Sequence, residues 1–184
     1  MKRLSTPKGG GPFAVIVDLH GGAWNTGNLS DCHVRSEVLV KSGFAIASIN
    51  FRQAKERYPS SLQDINYAIR WLKVNGAEYD IDPTRVGISG QSSGGHLAAL
   101  VAMRPYDERY NQIALDTYGN VDASVVCMAL EWPVINPHSR YHHALKALKK
   151  PETSEWVGQT PRYHNIYWGD EAAMIEGSPL LALE

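Results

Sequence analysis

A serine between two glycines is the residue group in this sequence best suited to chemistry. The pattern Gly90-x-Ser92-x-Gly94 lies between a β-rich run and a helical pattern. A sharp strand-to-helix turn of this kind exposes the serine hydroxyl, and a bulky side chain two residues before or after it would collide. Ser93 is a poorer centre for the motif, because Gln91 would then stand where a small residue is needed. The spacing predicts Ser92 as a nucleophile for acyl transfer.

A second group, His20 to Trp24 with the sequence His-Gly-Gly-Ala-Trp, directly follows an apolar run. A glycine-rich turn there exposes backbone N–H groups at the carboxyl ends of strands, where open α/β sheets bind ligands. Together with the backbone N–H of the residue after the nucleophile, such N–H groups bind the oxyanion of a tetrahedral intermediate. The predicted oxyanion donors are Gly22, Ala23 and Ser93. The residues predicted to support the two turns are His20, Gly21, Gly90 and Gly94.

The elements that must position these residues alternate between short β-rich runs and helical patterns. This alternation is typical of a mainly parallel sheet flanked by helices, which is the α/β class. Four strands are predicted, at Phe13–Leu19, Phe44–Asn50, Arg85–Ser89 and Ala123–Leu130.

Helices are predicted between these strands and after the nucleophile. One includes residues 34–40, one begins near Ser61, and one runs from Gly94 to Met103. The Ser61 hydroxyl is expected to cap its helix, and Asp64 suits the positive end of the helix dipole. Residues 138–150 are compatible with a helix, and the tail from Glu152 is expected to be mostly loop.

Bulk composition excludes several functional classes. The chain has 184 residues and a formal net charge of −1, which gives no electrostatic signal for nucleic acid or an anionic membrane. The two cysteines, Cys32 and Cys127, cannot form a disulfide framework and are expected to be reduced. No signal peptide or transmembrane stretch is visible, so a cytoplasmic chain is expected.

The two motifs and several further segments resemble the hormone-sensitive-lipase-like carboxylesterases, especially the BD-FAE-like branch. Besides the two motifs, the segments that carry the resemblance are Asn50-Phe51-Arg52, Tyr58-Pro59, Asp64, Trp71-Leu72, Ile81-Asp82-Pro83-x-Arg85, Tyr167-Trp168-Gly169-Asp170 and Gly177-Ser178-Pro179-Leu180. The resemblance implies an α/β-hydrolase fold, Ser92 as nucleophile, small-molecule short-chain esters as substrates, and no metal or organic cofactor. Ala23 stands where many relatives have a third glycine, but its backbone N–H is retained.

The resemblance also predicts what this sequence lacks. The family's acid and histidine follow two further strands in the order Ser, Asp or Glu, His. No positions here match them, so we expect a single domain over residues 1–184 that is incomplete at the C-terminus and at the N-terminus. An exposed sheet edge would then favour self-association. An alternative function is a non-catalytic ligand-binding module of esterase-like fold.

Residues downstream of Ser92 match the order of a catalytic acid followed by a histidine. Glu131 ends the fourth predicted strand, and the histidines that follow it are His138, His142, His143 and His164. Their surroundings do not resemble a loop that carries a catalytic base. A metal site from these histidines is not expected, because no third ligand has a recognisable spacing.

Overall fold

A mixed five-stranded sheet forms the centre of the computed structural model, which describes residues 2–116, 120–150 and 155–183. Its strands are β1 (Lys2–Ser5), β2 (Phe13–Leu19), β3 (Ala45–Ile49), β4 (Ile81–Gln91) and β5 (Met128–Glu131). They lie in the order β1-β3-β2-β4-β5. β1 is antiparallel to β3, and the other neighbouring pairs are parallel. The predicted mainly parallel sheet is therefore confirmed.

Six helices are seen in the described part of the chain. They are α1 (His33–Lys41), α2 (Ser60–Asn75), α3 (Ser93–Met103), α4 (Pro137–Ala147), α5 (Glu155–Trp168) and α6 (Glu171–Glu176). Short 3-10 turns lie at Leu29–Cys32, Ala54–Glu56, Gly76–Tyr79 and Leu180–Leu183. None of the described helices has the length and apolar character needed to cross a bilayer. Both cysteines are free thiols, as predicted.

The apolar face of α2 closes one side of the core. Ile65, Ile69 and Leu72 are buried at helical spacing, and Leu62 extends the same face. This face packs against β4 and α3. Burying each such aliphatic side chain stabilises the fold by about 1.5–3 kcal/mol. The close packing fixes β4, the strand that leads into Ser92.

The start of α2 differs from the prediction. The helix begins at Ser60, and the residue before it, Pro59, makes no side-chain cap. The hydroxyl of Ser61 donates to the carbonyl oxygen of Arg52 at 2.5 Å, so the predicted cap is wrong. Asp64 accepts the backbone N–H of Arg52 at 2.7 Å. Both side chains therefore hold the loop after β3 instead of the helix end.

Three strand assignments also need correction. β4 begins at Ile81, four residues before the predicted start at Arg85. β5 begins at Met128 and not at Ala123. The reason is a local turn, in which the Asp122 carboxylate accepts the N–H of Ser124 and binds Lys73 at 2.8 Å. β1 was not predicted, because its polar sequence has no apolar run, although a short charged strand is common at a sheet edge.

The tail from Glu152 is not mostly loop. Residues 151–154 lie outside the described part of the chain, but α5 and α6 follow directly. The buried face of α5 includes Thr160, His164, Tyr167 and Trp168 at helical spacing. Polar and aromatic residues on that face, together with Pro161 inside the helix, hid the periodicity that aliphatic residues would have shown.

Candidate active site

Ser92 lies at a strained turn between β4 and α3. Its backbone has φ 55° and ψ −117°, a conformation that residues other than glycine rarely adopt. Three main-chain hydrogen bonds fix it: its N–H donates to Glu131 O at 2.9 Å, and its carbonyl accepts from His96 N and Val134 N. Ser92 is partly exposed, whereas Ser93 is buried. The turn therefore presents the Ser92 hydroxyl and withholds that of Ser93.

The glycines on either side of Ser92 are required by backbone contacts. A Cβ at Gly90 would lie 2.5 Å from the carbonyl of Gly94. A Cβ at Gly94 would lie 2.3 Å from His20 O and 2.6 Å from Leu19 O. The first contact closes the turn upon itself, and the second brings α3 against the end of β2. Any larger residue at either position must displace main chain.

The loop after β2 turns through consecutive residues with positive φ. These angles are 113° at Gly22, 52° at Ala23 and 61° at Trp24. The Gly22 carbonyl closes the turn by accepting the N–H groups of Asn25 and Thr26, both at 3.0 Å. Within the described residues, the N–H groups of Gly22 and Ala23 donate no hydrogen bond. Backbone N–H groups that lack an internal partner are available to an anion.

The loop and the serine turn face each other across a cavity. A Cβ at Gly21 would lie 3.4 Å from Ser92 Cβ and 3.3 Å from Gln91 O. The cavity has a volume of about 450 Å³, which is in the range of small-molecule sites. Its lining residues are Gly22, Ala23, Thr26, Ser92, Arg140, Glu155, Gln159, Thr160 and Tyr163. The structure thus brings Ser92 together with two of the three predicted oxyanion donors.

A second cavity of about 490 Å³ lies elsewhere on the molecule. Leu4, Ile49, Trp71 and Tyr79 are among the residues that line it. It contains none of the predicted site residues. Size alone therefore does not identify the candidate site, and the chemistry places it at Ser92.

A buried hydrogen-bond chain connects the loop to the serine helix. The indole N–H of Trp24 donates to His96 Nδ1 at 3.1 Å, and His96 Nε2 lies 2.7 Å from Gly177 O. Because a carbonyl only accepts, Nε2 carries the proton and the His96 ring is neutral. Burial lowers the pKa of His96 to about 4. Sequence reasoning missed these hydrogen bonds, although Trp24 belongs to the loop motif and His96 lies two residues after Gly94.

The side chain of Asn25 joins the loop after β2 to α5. The amide nitrogen of Asn25 donates to Ala23 O at 2.6 Å and to Tyr163 O at 2.9 Å. Thr160 and Tyr163 of α5 also line the cavity. The tail that was expected to be loop therefore forms one wall of the candidate site.

His20 lies where the sequence placed it, at the start of the loop. Its ring is buried, stacks on Phe51 with centroids 4.4 Å apart, and has Nδ1 2.7 Å from Gly21 O. Burial lowers the pKa of His20 from its ordinary value. Since a carbonyl only accepts, Nδ1 carries the proton, and this hydrogen bond holds the ring against the loop backbone. Its role as loop support stays a prediction.

The downstream acid and histidines do not assemble with Ser92. The Glu131 carboxylate lies 3.2 Å from Arg35, which also binds the fully buried Asp18 at 2.6 Å. His164 is buried with Nδ1 2.8 Å from Thr160 O, and its pKa is lowered to about 4, first by burial and then by Arg140. His143 is exposed on α4.

The remaining pair, His138 and His142, binds Glu171. In the described part of the chain, none of the four histidines lines the Ser92 cavity.

Comparisons with known proteins agree with this fold. The BD-FAE family model matches residues 4–168. The chain is 29% identical over 158 residues to the probable carboxylic ester hydrolase LipM of Mycobacterium tuberculosis, covering 85% of this chain and 36% of the relative. It is 36% identical over 96 residues to carboxylesterase NlhH of the same organism, covering 50% and 30%.

Solved structures show the same architecture. The thermophilic carboxylesterase EstE1, cloned from a metagenomic library, superposes with a TM-score of 0.77 at 22% identity, over 98% of this chain and 59% of that chain. The chain thus spans about a third of the length of the two curated relatives and about 60% of this solved structure. The predicted α/β-hydrolase fold is confirmed, and because the family model covers most of its length, the chain belongs to the BD-FAE family.

Proposed function

We propose that this chain is the nucleophile-bearing part of a serine carboxylic-ester hydrolase. The observation that supports the proposal most directly is the placement of Ser92 on a strained turn, beside a loop whose Gly22 and Ala23 N–H groups are unpaired in the described structure. The family membership and the two ester hydrolase relatives support the same reaction class.

The geometry supports acyl-enzyme chemistry. Ser92 Oγ attacks the ester carbonyl carbon, and the carbonyl oxygen becomes an oxyanion. The N–H groups of Gly22, Ala23 and Ser93 stabilise that charge, and each such donor is typically worth about 10²–10³ in rate. The bond from the tetrahedral carbon to the alcohol oxygen then breaks, and the alcohol leaves with the proton that Ser92 gave up. Water hydrolyses the acyl-serine, which releases the acid and restores the serine hydroxyl. A cavity of about 450 Å³ suits the short-chain esters that we propose as substrates.

The proton of Ser92 needs a base, and a base needs an orienting acid. No histidine of the described residues lines the cavity. This observation supports a second candidate function for the chain by itself, which is a non-catalytic ligand-binding module of the same fold. Without a base, about 10³–10⁴-fold acceleration over water would remain from the oxyanion site and binding.

The test is hydrolysis of p-nitrophenyl acetate by the chain and by its Ser92→Ala variant, with circular dichroism to verify that both fold. Turnover that disappears in the variant supports the esterase and shows that a base reaches Ser92. Equal background rates from two folded proteins support the binding module for this chain. Ser93→Ala is the matched comparison, because it removes the neighbouring buried hydroxyl and keeps the N–H.

We also propose that the chain self-associates with a second copy through β5. This strand pairs only with β4 among the described strands, and its Met128 is 48% exposed. Val126 and Trp132, on either side of it, are more exposed still. An unpaired apolar edge of this kind favours pairing with another chain. The expected absence of nucleic-acid and membrane partners and the cytoplasmic location stay predictions from the sequence.

A further inference from the structure

Three metal-ligating side chains meet at one point where α4 approaches α6. His138 and His142 are one helical turn apart on α4, and Glu171 is the first residue of α6. The two Nε2 atoms lie 3.0 Å apart, and each lies 2.9 Å from the same carboxylate oxygen of Glu171. The three atoms form a nearly equilateral triangle.

No placement of protons on the two imidazoles makes all three contacts favourable. If both Nε2 atoms carry a proton, each donates to the Glu171 oxygen, but the two N–H groups then face each other at 3.0 Å. If neither carries one, three lone pairs converge. With a single proton, one edge of the triangle still joins two acceptors. A cation at the centre of the three atoms removes the conflict, because all three then act as electron-pair donors.

We propose that His138, His142 and Glu171 bind a divalent transition-metal ion of the zinc type. Zinc lies about 2.0–2.2 Å from imidazole nitrogen and carboxylate oxygen, in a tetrahedral arrangement. Ligand atoms in such a site are about 3.3 Å apart, so the three atoms need to separate by only a few tenths of an ångström. The fourth position is left for water.

The ligand types and exposure agree with this assignment. Two imidazoles and one carboxylate suit zinc, copper or nickel better than magnesium or calcium, which prefer oxygen ligands. The side chains are between 32% and 51% exposed, so an ion can reach them. The third ligand could not be recognised from spacing, because Glu171 lies 29 residues beyond His142.

The ion would join two helices and would not take part in catalysis. None of its three ligands lines the Ser92 cavity, but Arg140, which lies on α4 between His138 and His142, does. A metal bridge from α4 to α6 would therefore fix the helix that carries one wall of that cavity. Because metal binds the folded arrangement, it should raise the melting temperature.

The experiment is isothermal titration of the untagged, EDTA-treated chain with zinc chloride, without any ester substrate. We expect about one zinc per chain. His142→Ala and Glu171→Gln should each weaken binding at least about 100-fold, since even loss of a group that only hydrogen-bonds to a metal ligand costs about 10–100-fold. His143→Ala, the adjacent exposed histidine of α4, is the matched control and should bind as the parent chain does.

Two further readouts keep the proposal falsifiable if a variant folds poorly. Zinc at a hundredfold excess over Kd should raise the Tm of the parent chain by about 5–10 °C, and this rise should be absent in Glu171→Gln. Cobalt substituted for zinc should give the intense visible bands of a four-coordinate site. A second exposed pair, His33 and Glu37 on α1, provides the competing location.

Zinc binding that is absent, or that survives in His142→Ala and disappears in His33→Ala, would overturn the proposal. Weak binding of several ions per chain with no cobalt bands would overturn it as well. These outcomes leave the esterase proposal untouched, because they involve neither Ser92 nor an ester.

Discussion

At the scale of single residues, the candidate site depends on how closely main chain approaches main chain. The Ser92 turn is possible because Gly90 has no Cβ to meet the Gly94 main chain, and Gly94 has none to meet the end of β2. Strain of about 1–3 kcal/mol at a residue such as Ser92 persists only where its surroundings fix it. Here the hydrogen bond that Ser92 N–H donates to Glu131 O does so, with the two that the Ser92 carbonyl accepts from His96 and Val134.

Gly94→Ala should destabilise the fold more than a surface glycine substitution. Its Cβ would lie 2.3 Å from His20 O, and such overpacking typically lowers the free energy of unfolding by about 1–3 kcal/mol. Gly10→Ala is the control, because a Cβ there meets nothing within 4 Å. Urea denaturation of the two variants measures the difference. Equal midpoints would mean that α3 and β2 are not in this close contact.

The buried histidines predict a loss of stability in mild acid. His96 and His164 have pKa values of about 4 in the folded chain, against an ordinary value of 6.5. The unfolded chain therefore binds more protons between these values, and stability is fully present above pH 6.5 and falls as the pH decreases toward 4. Between pH 7.5 and pH 5, each histidine should lower the free energy of unfolding by about 2 kcal/mol.

Denaturant titrations at pH 7.5 and pH 5 test this prediction. A His96→Gln variant should show about 2 kcal/mol less difference between the two pH values, because one of the two titrating rings is gone. Identical pH dependence in the variant and the parent chain would contradict the assignment of His96 as a neutral, buried ring.

At the scale of elements, Arg35 of α1 connects β2 to β5. It binds the fully buried Asp18 at 2.6 Å and the partly exposed Glu131 at 3.2 Å. Asp18 also accepts the Ser89 hydroxyl at 2.7 Å. Asp18 is the more buried of the two acidic partners. Its contact with Arg35 should therefore contribute more to stability than the contact of Glu131.

Arg35→Met should lower the free energy of unfolding by about 3–5 kcal/mol, because it leaves the Asp18 carboxylate buried without its cation. Glu131→Gln should change it by less than about 1 kcal/mol, since that carboxylate is 43% exposed. The double variant Asp18→Asn/Arg35→Met should recover part of the loss. Thermal unfolding of the three variants measures the order, and a larger effect at Glu131 would contradict the account.

The sequence predicted those elements whose signal is local. The serine turn and the loop after β2 each occupy a few consecutive residues, and the four strands carry apolar runs. Prediction from the sequence failed where a buried helix face is not aliphatic or where the contacts join residues far apart in the chain. α5 buries His164 and Tyr167 instead of aliphatic residues, and Ser61 bonds Arg52 instead of its own helix. The meeting of His142 with Glu171 joins residues whose proximity only the fold determines.

At the scale of the whole molecule, the sheet ends in strands of different character. β1 pairs antiparallel to β3 at one edge, and β5 pairs parallel to β4 at the other. β5 is flanked by exposed Val126 and Trp132 and carries exposed Met128. This apolar edge is the one that we expect to pair with a second copy.

Sedimentation measurements over a range of concentrations test the association through β5. We expect a concentration-dependent dimer that Met128→Lys weakens, because a charge on an edge strand opposes pairing. Val34→Lys on α1 is the control, since Val34 is 77% exposed and distant from β5 in sequence. A chain that stays monomeric at about 100 μM would contradict the predicted association.

Covalent labelling tests whether Ser92 is the nucleophile. The folded chain would be incubated with a p-nitrophenyl phosphonate, whose adduct mimics the tetrahedral intermediate, and the modified residue would be identified by peptide mass spectrometry. We expect one adduct per chain on Ser92, absent in Ser92→Ala and retained in Ser93→Ala. An adduct on Ser93 or on another residue, or equal labelling of the Ser92→Ala variant, would contradict it.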